Sequence, residues 1–255
     1  MLNLFDVNGL VFFDEKFIRM RHFLGDHFYK EIQDILIRMN SAWRFVQIEA
    51  PLLMPRELVN QNYTNEDIFV QGFSNGETPL VLRPETTPGS YRYASHVMKN
   101  HSGIKPPFVV WQIGKSFRRE QDQVSKNMRL KEFYQQEFQC IYTQDSANDY
   151  YENILPLVEG MFREAMPLQT RLIPSDRLPA YSLKTMDVEV WNGDKWMEIC
   201  SISKRIDFPH KAQFQGKSGI IEKDVFVLEV AIGLDRCVYN FFKKQDALDN
   251  GPVDE

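Results

Sequence analysis

The sequence predicts an α+β domain in which helices pack on an antiparallel sheet. Its 255 residues favour one large domain, with two small domains as the alternative. Segments with helical periodicity lie before, between and after groups of apolar segments that have the pattern of strands. Several of those strands follow one another as hairpins do, and consecutive hairpins build antiparallel sheets.

The first half of the chain begins with a predicted helix from Glu15 to about Asn40, where apolar residues recur at steps of three and four. A strand follows and is stopped by Pro51. Residues 60–78 are rich in loop residues and contain an Asn-Gly turn. Residues 79–99 then predict a short strand, a loop broken by prolines, and a helix from about Gly89.

The second half begins with two long predicted strands, 108–120 and 129–142, joined by a polar loop. A helix is predicted over 149–166. Strands over 181–191 and 195–203 flank an Asn-Gly hairpin turn, and residues 224–242 are predicted to form a strand that runs into a helix. The remaining polar tail, residues 243–255, is expected to fray.

Composition excludes several classes of function. The chain is 43% hydrophobic and 25% charged, as soluble enzymes are, and its net charge of −5 argues against a protein devoted to gripping nucleic-acid backbones. Cys140, Cys200 and Cys237 are scattered, so neither structural zinc nor a disulfide framework is expected. No apolar run is long enough for a membrane span, and the N-terminus is acidic where a signal peptide needs basic residues. We therefore expect a cytoplasmic protein.

The two long strands carry the first candidate site. Arg118 and Glu120 share one face of the first strand because they are two residues apart. The matching face of the second strand carries Arg129, Lys131, Phe133, Gln135 and Glu137. If this face lines a cleft, it suits a nucleotide, since guanidinium groups bind phosphate, an aromatic ring stacks on the base and a carboxylate accepts from an amine. The alternative is a solvated face of paired charges.

Two shorter motifs have a similar character. In "LRPETTPG", Arg83, Glu85 and Thr87 alternate in a proline-stiffened loop, which is either a small-ligand loop or a plain entry to the next helix. In "VLEVAIGLDR", Glu229 and Ala231 share a strand face, and the following helix start carries an arginine at position 236. A helix N-terminus with an arginine suits an anion. The alternative is a strand-to-helix turn whose arginine pairs with a surface acid.

A fourth group consists of carboxylates on neighbouring strands. Asp187, Glu189 and Glu198 precede Arg205 and Asp207. Carboxylates that converge beside phosphates commonly hold Mg²⁺, and structural ion pairs are the alternative. Glu189 is expected to be exposed.

Together, these segments resemble the class II aminoacyl-tRNA synthetases, and most closely the catalytic core of glycyl-tRNA synthetase. That family carries LRPETAQG where this chain has "LRPETTPG", and QIGKxFRNE followed by REFxxxE where it has "QIGKSFRRE" and "RLKEFYQQE". Its ELEGIANRTDFD is similar to "MEICSISKRIDFP", and its EPSxGLDR to "EVAIGLDR". Order and spacing agree over about residues 28–242. The resemblance implies an antiparallel sheet of six to seven strands in a catalytic domain over 1–242, with no anticodon-binding domain after it.

The resemblance also implies a role for each matched residue. Arg118 would hold the α-phosphate of ATP and the carboxylate of the amino acid, and Glu120 would accept from the adenine amino group. Phe133 would stack on the adenine ring. Arg129 would reach the outer phosphates and Arg236 the γ-phosphate, so that Arg118 and Arg236 are the catalytic arginines.

The remaining roles concern the metal, the amino acid and a second subunit. Glu198 would contact the ribose or Mg²⁺, and Pro51 would lie in the interface of a homodimer. The three acids of the amino-acid site would surround the ammonium group, and its arginine would orient the carboxylate. The predicted amino-acid site consists of Glu85, Thr87, Glu137, Arg205, Glu229 and Ala231.

The implied activity is ATP-dependent conversion of glycine or another small amino acid to an aminoacyl-adenylate, with tRNA as the acceptor. Two alternatives remain: a stand-alone ligase that transfers the amino acid to a carrier protein, peptide or small molecule, and a non-catalytic binding subunit. Two motif differences bear on the substrate. EPS of the family is replaced by Glu229-Val230-Ala231, and ELEG by Glu198-Ile199-Cys200-Ser201.

Overall fold

The computed structural model describes residues 5–7, 10–60, 63–71, 79–101, 103–119, 128–143, 150–166, 168–176, 178–209, 211–216 and 218–249. The helices are α1 Glu15–Met39, α2 Thr87–Asn100, α3 Tyr150–Ala165 and α4 Leu234–Asp249. The first strands are β1 Phe5–Val7, β2 Leu10–Phe12, β3 Arg44–Gln47, β4 Leu53–Pro55, β5 Leu80–Leu82, β6 Phe108–Phe117 and β7 Glu132–Tyr142. The later strands are β8 Thr170–Pro174, β9 Ser182–Trp191, β10 Trp196–Arg205, β11 Lys211–Gly216, β12 Gly219–Asp224 and β13 Phe226–Ile232.

In this described part of the chain, seven strands form a central sheet in the order β3-β6-β7-β13-β10-β9-β8. The predicted α+β fold with a seven-stranded sheet is confirmed. The sheet is mixed, however, because β3 pairs with β6 in parallel while the other neighbours are antiparallel. The long connection from β3 to β6, which includes α2, allows the chain to return in the same direction.

The two faces of the sheet are covered differently. Helices α1, α3 and α4 pack on one face, where aromatic residues such as Phe28, Phe138 and Phe162 are fully buried. Helix α2 and strand β11 cover part of the other face through Ala94 and Phe214. The rest of that second face is left to polar side chains. Among the helices described, none combines the length and apolar character that a membrane crossing requires.

Most predicted elements are found close to their predicted bounds, but several differ, and the short strands β1, β2 and β4 were not predicted. Helix α2 begins at Thr87, and α4 continues to Asp249 although the tail beyond residue 242 was expected to fray. Strand β7 begins at Glu132, three residues later than predicted. Strand β8 and the β11–β12 hairpin were not anticipated. The predicted turn at 192 and 193 is present, with Gly193 at a φ of 89°. The predicted turn at 75 and 76 lies outside the described residues.

Candidate active site

The floor of the site is formed by polar residues aligned across neighbouring strands. One row runs over β6, β7, β13, β10 and β9 and consists of Gln112, Glu137, Ala231, Ser201 and Asp187. The next row over β7, β13, β10 and β9 consists of Gln139, Glu229, Ser203 and Thr185. Residues directly opposite each other in antiparallel strands point to the same side of the sheet. The sheet therefore brings residues that are far apart in sequence onto one surface.

Above this floor lies a cavity of about 220 Å³, here called the central cavity. Nine of the predicted site residues line it: Glu85, Arg118, Arg129, Phe133, Glu137, Glu198, Glu229, Ala231 and Arg236. Thr87 and Arg205 lie behind its wall and touch the lining acids. Pro51 is exposed and does not line this cavity. Glu120 lies outside the described residues.

Arginines and one aromatic ring form the outer end of the central cavity. The Nε of Arg118 donates to the carbonyl oxygen of Pro84 at 3.1 Å, and its Cζ lies 5.3 Å from the ring centre of Phe133. Arg236 donates from Nη1 to the Glu198 carbonyl oxygen at 3.0 Å, with the Glu198 carboxylate 3.5 Å away. Arg129 is exposed at the rim. This end is cationic and accessible, as a site for phosphates must be.

The start of α4 is held in place by bonds to other elements. The backbone N–H of Gly233 donates to the Ile199 carbonyl oxygen at 2.8 Å. Asp235 accepts from the Nε of Arg21 on α1 at 2.7 Å and from the backbone N–H of Tyr134 at 2.8 Å. These bonds fix the first turn of the helix that carries Arg236.

The inner end of the central cavity is acidic. The hydroxyl of Thr87 lies 3.0 Å from a carboxylate oxygen of Glu137 and 3.1 Å from one of Glu229. The amide of Gln139 donates to Glu229 at 2.6 Å, and the amide of Gln135 donates to Glu137. Glu137 and Glu229 are each 3% exposed, so these bonds replace the water that the carboxylates would otherwise bind.

Arg205 supports the acidic end from behind. Its Nη1 contacts both carboxylate oxygens of Glu229, at 3.1 and 2.9 Å, and its Nη2 contacts Asp207 at 2.6 Å. Its Cζ lies 3.7 Å from the ring centre of Tyr181. Burial alone would lower the pKa of Arg205, but Glu229 and other neighbours raise that pKa well above its ordinary value. The implied role of this arginine in orienting a substrate carboxylate stays a prediction.

Burial raises the pKa of the two acids Glu85 and Glu137 at the inner end. The pKa of Glu85 rises to about 8, chiefly through loss of solvent, with Arg205 opposing the rise. The pKa of Glu137 is also raised, first by burial and then by Glu229, while hydrogen bonds from Thr86 and Thr87 oppose this. An ammonium group bound beside these two carboxyl groups would lower their pKa values, because it would stabilise the ionised form.

The candidate metal residues form a pair of carboxylates rather than a larger cluster. Asp187 is buried and accepts from the Ser201 hydroxyl at 2.7 Å, and Glu198 lies 3.4 Å from the same hydroxyl. Within the described residues, no three His, Cys, Asp or Glu side chains are arranged so that they could hold a metal ion. Glu198 is exposed on the cavity wall, which suits Mg²⁺ held by one carboxylate and substrate phosphates. Glu189, expected to be exposed, is half-buried because it pairs with Arg171 at 2.5 Å.

Lys131 does not belong to the central cavity, contrary to the strand-parity prediction. Strand β7 begins only at Glu132, so the two-residue alternation does not extend back to this lysine. Its side chain lines a neighbouring cavity of about 740 Å³ near Arg21. Arg83 is also structural, since its guanidinium is buried and donates to the carbonyl oxygens of Ala50 and Lys115.

Several residues at the site were missed or undervalued by sequence reasoning. Gln139 continues the alternation of Glu137 and could have been found by extending it. Tyr63 and Tyr181 come from irregular segments, where no periodicity points to a site. Ser201 was noted only as a motif difference, yet it lies directly opposite Ala231 and lines the same cavity.

A comparison of the chain with known proteins shows the family to which it belongs. The model of the tRNA synthetase class II core domain (G, H, P, S and T) matches residues 63–243, and the chain belongs to this family. Among curated relatives, a glycine–tRNA ligase of Mycoplasma capricolum is 31% identical over 165 residues, covering 62% of this chain and 35% of the relative. Another, from Alkaliphilus metalliredigens, is 28% identical and covers 91% of this chain and 54% of the relative.

Solved structures agree on the fold. Prolyl-tRNA synthetase from Cryptosporidium parvum, crystallised with L-proline and AMP, superposes with a TM-score of 0.68 at 13% identity, over 95% of this chain and 50% of that one. The Giardia lamblia prolyl-tRNA synthetase in complex with prolyl-adenylate gives a TM-score of 0.67 at 14% identity, over 94% of this chain and 49% of that one. The chain thus spans about half of these structures and, as above, 35% to 54% of the two curated relatives.

Proposed function

We propose that this protein activates a small amino acid with ATP, forming an aminoacyl-adenylate, and transfers the aminoacyl group to tRNA. Glycine is the proposed amino acid. The observation that carries the proposal is that one cavity has arginines at its outer end and buried acids at its inner end. Family membership and the names of the curated relatives support the same activity.

The cationic end suits ATP. Arg118 would contact the α-phosphate, Arg129 the outer phosphates and Arg236 the γ-phosphate, while Phe133 offers a ring for adenine. Glu198 would hold Mg²⁺ together with phosphate oxygens, and the bound ion would neutralise charge on the phosphates. Glu120 would accept from the adenine amino group.

The acidic end suits an α-ammonium group. Glu85, Glu137 and Glu229 all line the cavity, and Arg205 contacts Glu229 from behind. Among these four described residues, the carboxyl groups outnumber the guanidinium group. Ala231 and Ser201 face the space beside these acids with short side chains, which favours a small substrate. The hydroxyl of Ser201 lies on the strand next to the position where the family motif EPS has its serine.

The chemistry then needs no nucleophilic side chain from the protein. A carboxylate oxygen of the amino acid attacks the α-phosphorus in line, the bond to the bridging oxygen breaks, and pyrophosphate leaves. Arg118 and Arg236 would stabilise the negative charge that develops, so catalysis comes from positioning and electrostatics. In the second step a hydroxyl of the tRNA terminus attacks the activated carbonyl and AMP leaves.

The first test is amino-acid-dependent exchange of pyrophosphate into ATP, measured with each of the twenty amino acids. We expect exchange with glycine, and absence of exchange with every amino acid would contradict the proposed activation. Charging of total tRNA then tests the acceptor. Exchange without charging would favour the stand-alone ligase that transfers to another acceptor.

We also propose that the protein is a homodimer that buries the segment around Pro51. Leu52 and Leu53, which follow it, are 42% and 44% exposed, so their burial in an interface would remove apolar surface from water. Sedimentation of the wild type and of Leu53→Glu tests this point. We expect a dimer that the substitution converts to monomer, whereas a wild-type monomer at micromolar concentration would contradict it.

A further inference from the structure

We propose that Tyr63 is a positioning residue that orients the guanidinium of Arg118 toward the central cavity. This inference rests on the proposed function, in which Arg118 contacts the reacting phosphate. Tyr63 belongs to an irregular segment between β4 and β5, and no motif of the sequence points to it.

The geometry that carries the inference is a contact of one guanidinium with two rings. The Cζ of Arg118 lies 5.6 Å from the ring centre of Tyr63 and 5.3 Å from that of Phe133. Both distances are within the range in which a cation is attracted to the face of an aromatic ring. The Nε of Arg118 also donates to the carbonyl oxygen of Pro84. The orientation of the guanidinium is therefore fixed both by this hydrogen bond and by its contacts with the two rings.

The segment that carries Tyr63 is fixed to the same strand end as Arg118. The backbone N–H of Arg119 donates to the Asp67 carbonyl oxygen at 2.8 Å. Arg56 donates to the carbonyl oxygen of Tyr63 itself at 2.6 Å, and the Tyr63 N–H donates to Asn60. Hydrogen bonds to the backbone of Tyr63 and of Arg119 therefore fix the position of the ring, in addition to its contact with Arg118.

The ring, and not the hydroxyl, is the part that acts on Arg118. Burial raises the pKa of Tyr63, so the phenol stays neutral throughout the pH range of an assay. A neutral ring attracts the guanidinium through its face without competing with phosphate for the N–H donors. A phenylalanine at position 63 keeps the ring and should preserve the orientation of Arg118. A leucine fills similar space without a ring and should not preserve it.

The experiment compares Tyr63→Phe with Tyr63→Leu in pyrophosphate exchange. We expect Tyr63→Phe to remain within about threefold of the wild type, and Tyr63→Leu to lose about tenfold in kcat/KM, an effect of the size of one cation–π contact. The loss should fall mainly on kcat, because misorientation of Arg118 weakens a contact that is strongest in the transition state. Equal losses in both variants, or none in Tyr63→Leu, would overturn the inference.

A matched control separates positioning from general loss of packing. Tyr29 is also half-buried and stacks on Trp111, with ring centres 4.3 Å apart, but it lies on α1 and does not line the central cavity. Tyr29→Leu should lower stability while leaving kcat near the wild-type value. A fall in kcat as large as that of Tyr63→Leu would assign both effects to packing and overturn the inference.

A readout that does not depend on activity distinguishes this inference from the proposed function. In nitrogen-15 spectra of the arginine side chains, the Nε–Hε signal of Arg118 should shift in Tyr63→Leu and stay close to wild type in Tyr63→Phe. An unchanged signal in Tyr63→Leu would exclude the contact. A shifted signal in a protein that shows no exchange at all would keep the contact and reject the proposed reaction.

Discussion

The two ends of the central cavity are built in different ways. At the inner end, Glu137 and Glu229 are each 3% exposed and are bonded to Thr87, glutamine amides and Arg205. At the outer end, the side chain of Arg236 is 25% exposed and that of its partner Glu198 is 49% exposed. The carboxyl groups of the inner end are buried and bonded to protein side chains, whereas the charged side chains of the outer end remain partly exposed to solvent.

This difference indicates how stability and activity are divided over the site. Removing a buried charge leaves its partner uncompensated, so changes at the inner end should be costly to the fold. Exposed ion pairs contribute little to stability, so changes at the outer end should affect the reaction and spare the fold. The predictions below test this division, from the largest expected effect to the smallest.

The largest effect is expected for Arg205→Met. The change removes the cation that contacts Glu229 and Asp207 and should lower the free energy of unfolding by about 3–5 kcal/mol. Urea denaturation followed by circular dichroism measures it. Arg236→Met is the matched change at the outer end and should cost about 1 kcal/mol or less. Equal losses for the two variants would show that the ends do not differ.

Arg118→Ala should cause the largest loss of activity without a comparable loss of stability. If this arginine stabilises charge at the α-phosphorus, pyrophosphate exchange should fall by about 100- to 1000-fold while the circular dichroism spectrum is unchanged. The neighbouring Arg119 is exposed and provides the control, since Arg119→Ala should leave exchange near the wild-type level. Full exchange in Arg118→Ala would mean that the site is misplaced.

The pH dependence of stability should reveal the buried Glu85. Its pKa in the folded protein is about 8, against an ordinary value of 4.5, so the folded state binds more protons than the unfolded state between these values. Stability contributed by this group is therefore lost as pH rises through that window, by at most about 1.4 kcal/mol per pH unit. Urea midpoints between pH 6 and pH 8.5 measure the slope.

The control for this pH effect is Glu85→Gln, which cannot titrate and should flatten the slope in the same window. Glu132 on β7 is exposed, and its replacement by Gln should leave the slope as in the wild type. A slope that survives in Glu85→Gln would assign the proton to another group.

The smallest effects distinguish Arg129 from Lys131, which strand parity placed on the same surface. Arg129→Ala should raise the KM for ATP about fivefold, a loss of about 1 kcal/mol typical of one exposed charged contact. Lys131→Ala should change neither KM nor stability by more than the scatter of surface substitutions, about 0.5 kcal/mol. A higher KM in Lys131→Ala than in Arg129→Ala would restore the parity prediction.

Strand periodicity predicted which side chains share a surface wherever regular strands carry them. Phe133 and Glu137 were correctly grouped because alternation along β7 reports which face a side chain occupies, and Arg118, the residue after β6, lines the same cavity. Register across strands is a tertiary property, so the direct juxtaposition of Ser201 and Ala231 could not be predicted from either segment alone.

The failures occur where regular structure ends. Lys131 precedes the first residue of β7, and Met128 nearby has a φ of 48°. The alternation of side chains between the two faces of the strand therefore does not extend back to Lys131. Tyr63 is placed by loop hydrogen bonds that leave no periodic signal in the sequence. The parallel pairing of β3 likewise depends on the path of a long connection rather than on the residues of the strand itself.

The bond between Arg21 and Asp235 has a consequence for the order in which the protein folds. The two residues are 214 positions apart, yet their bond fixes the helix turn that carries Arg236. Contacts between such distant residues close a long loop, and chains dominated by them fold slowly. The outer end of the central cavity should therefore be completed only when α4 docks on α1, which places the assembly of this end late in folding.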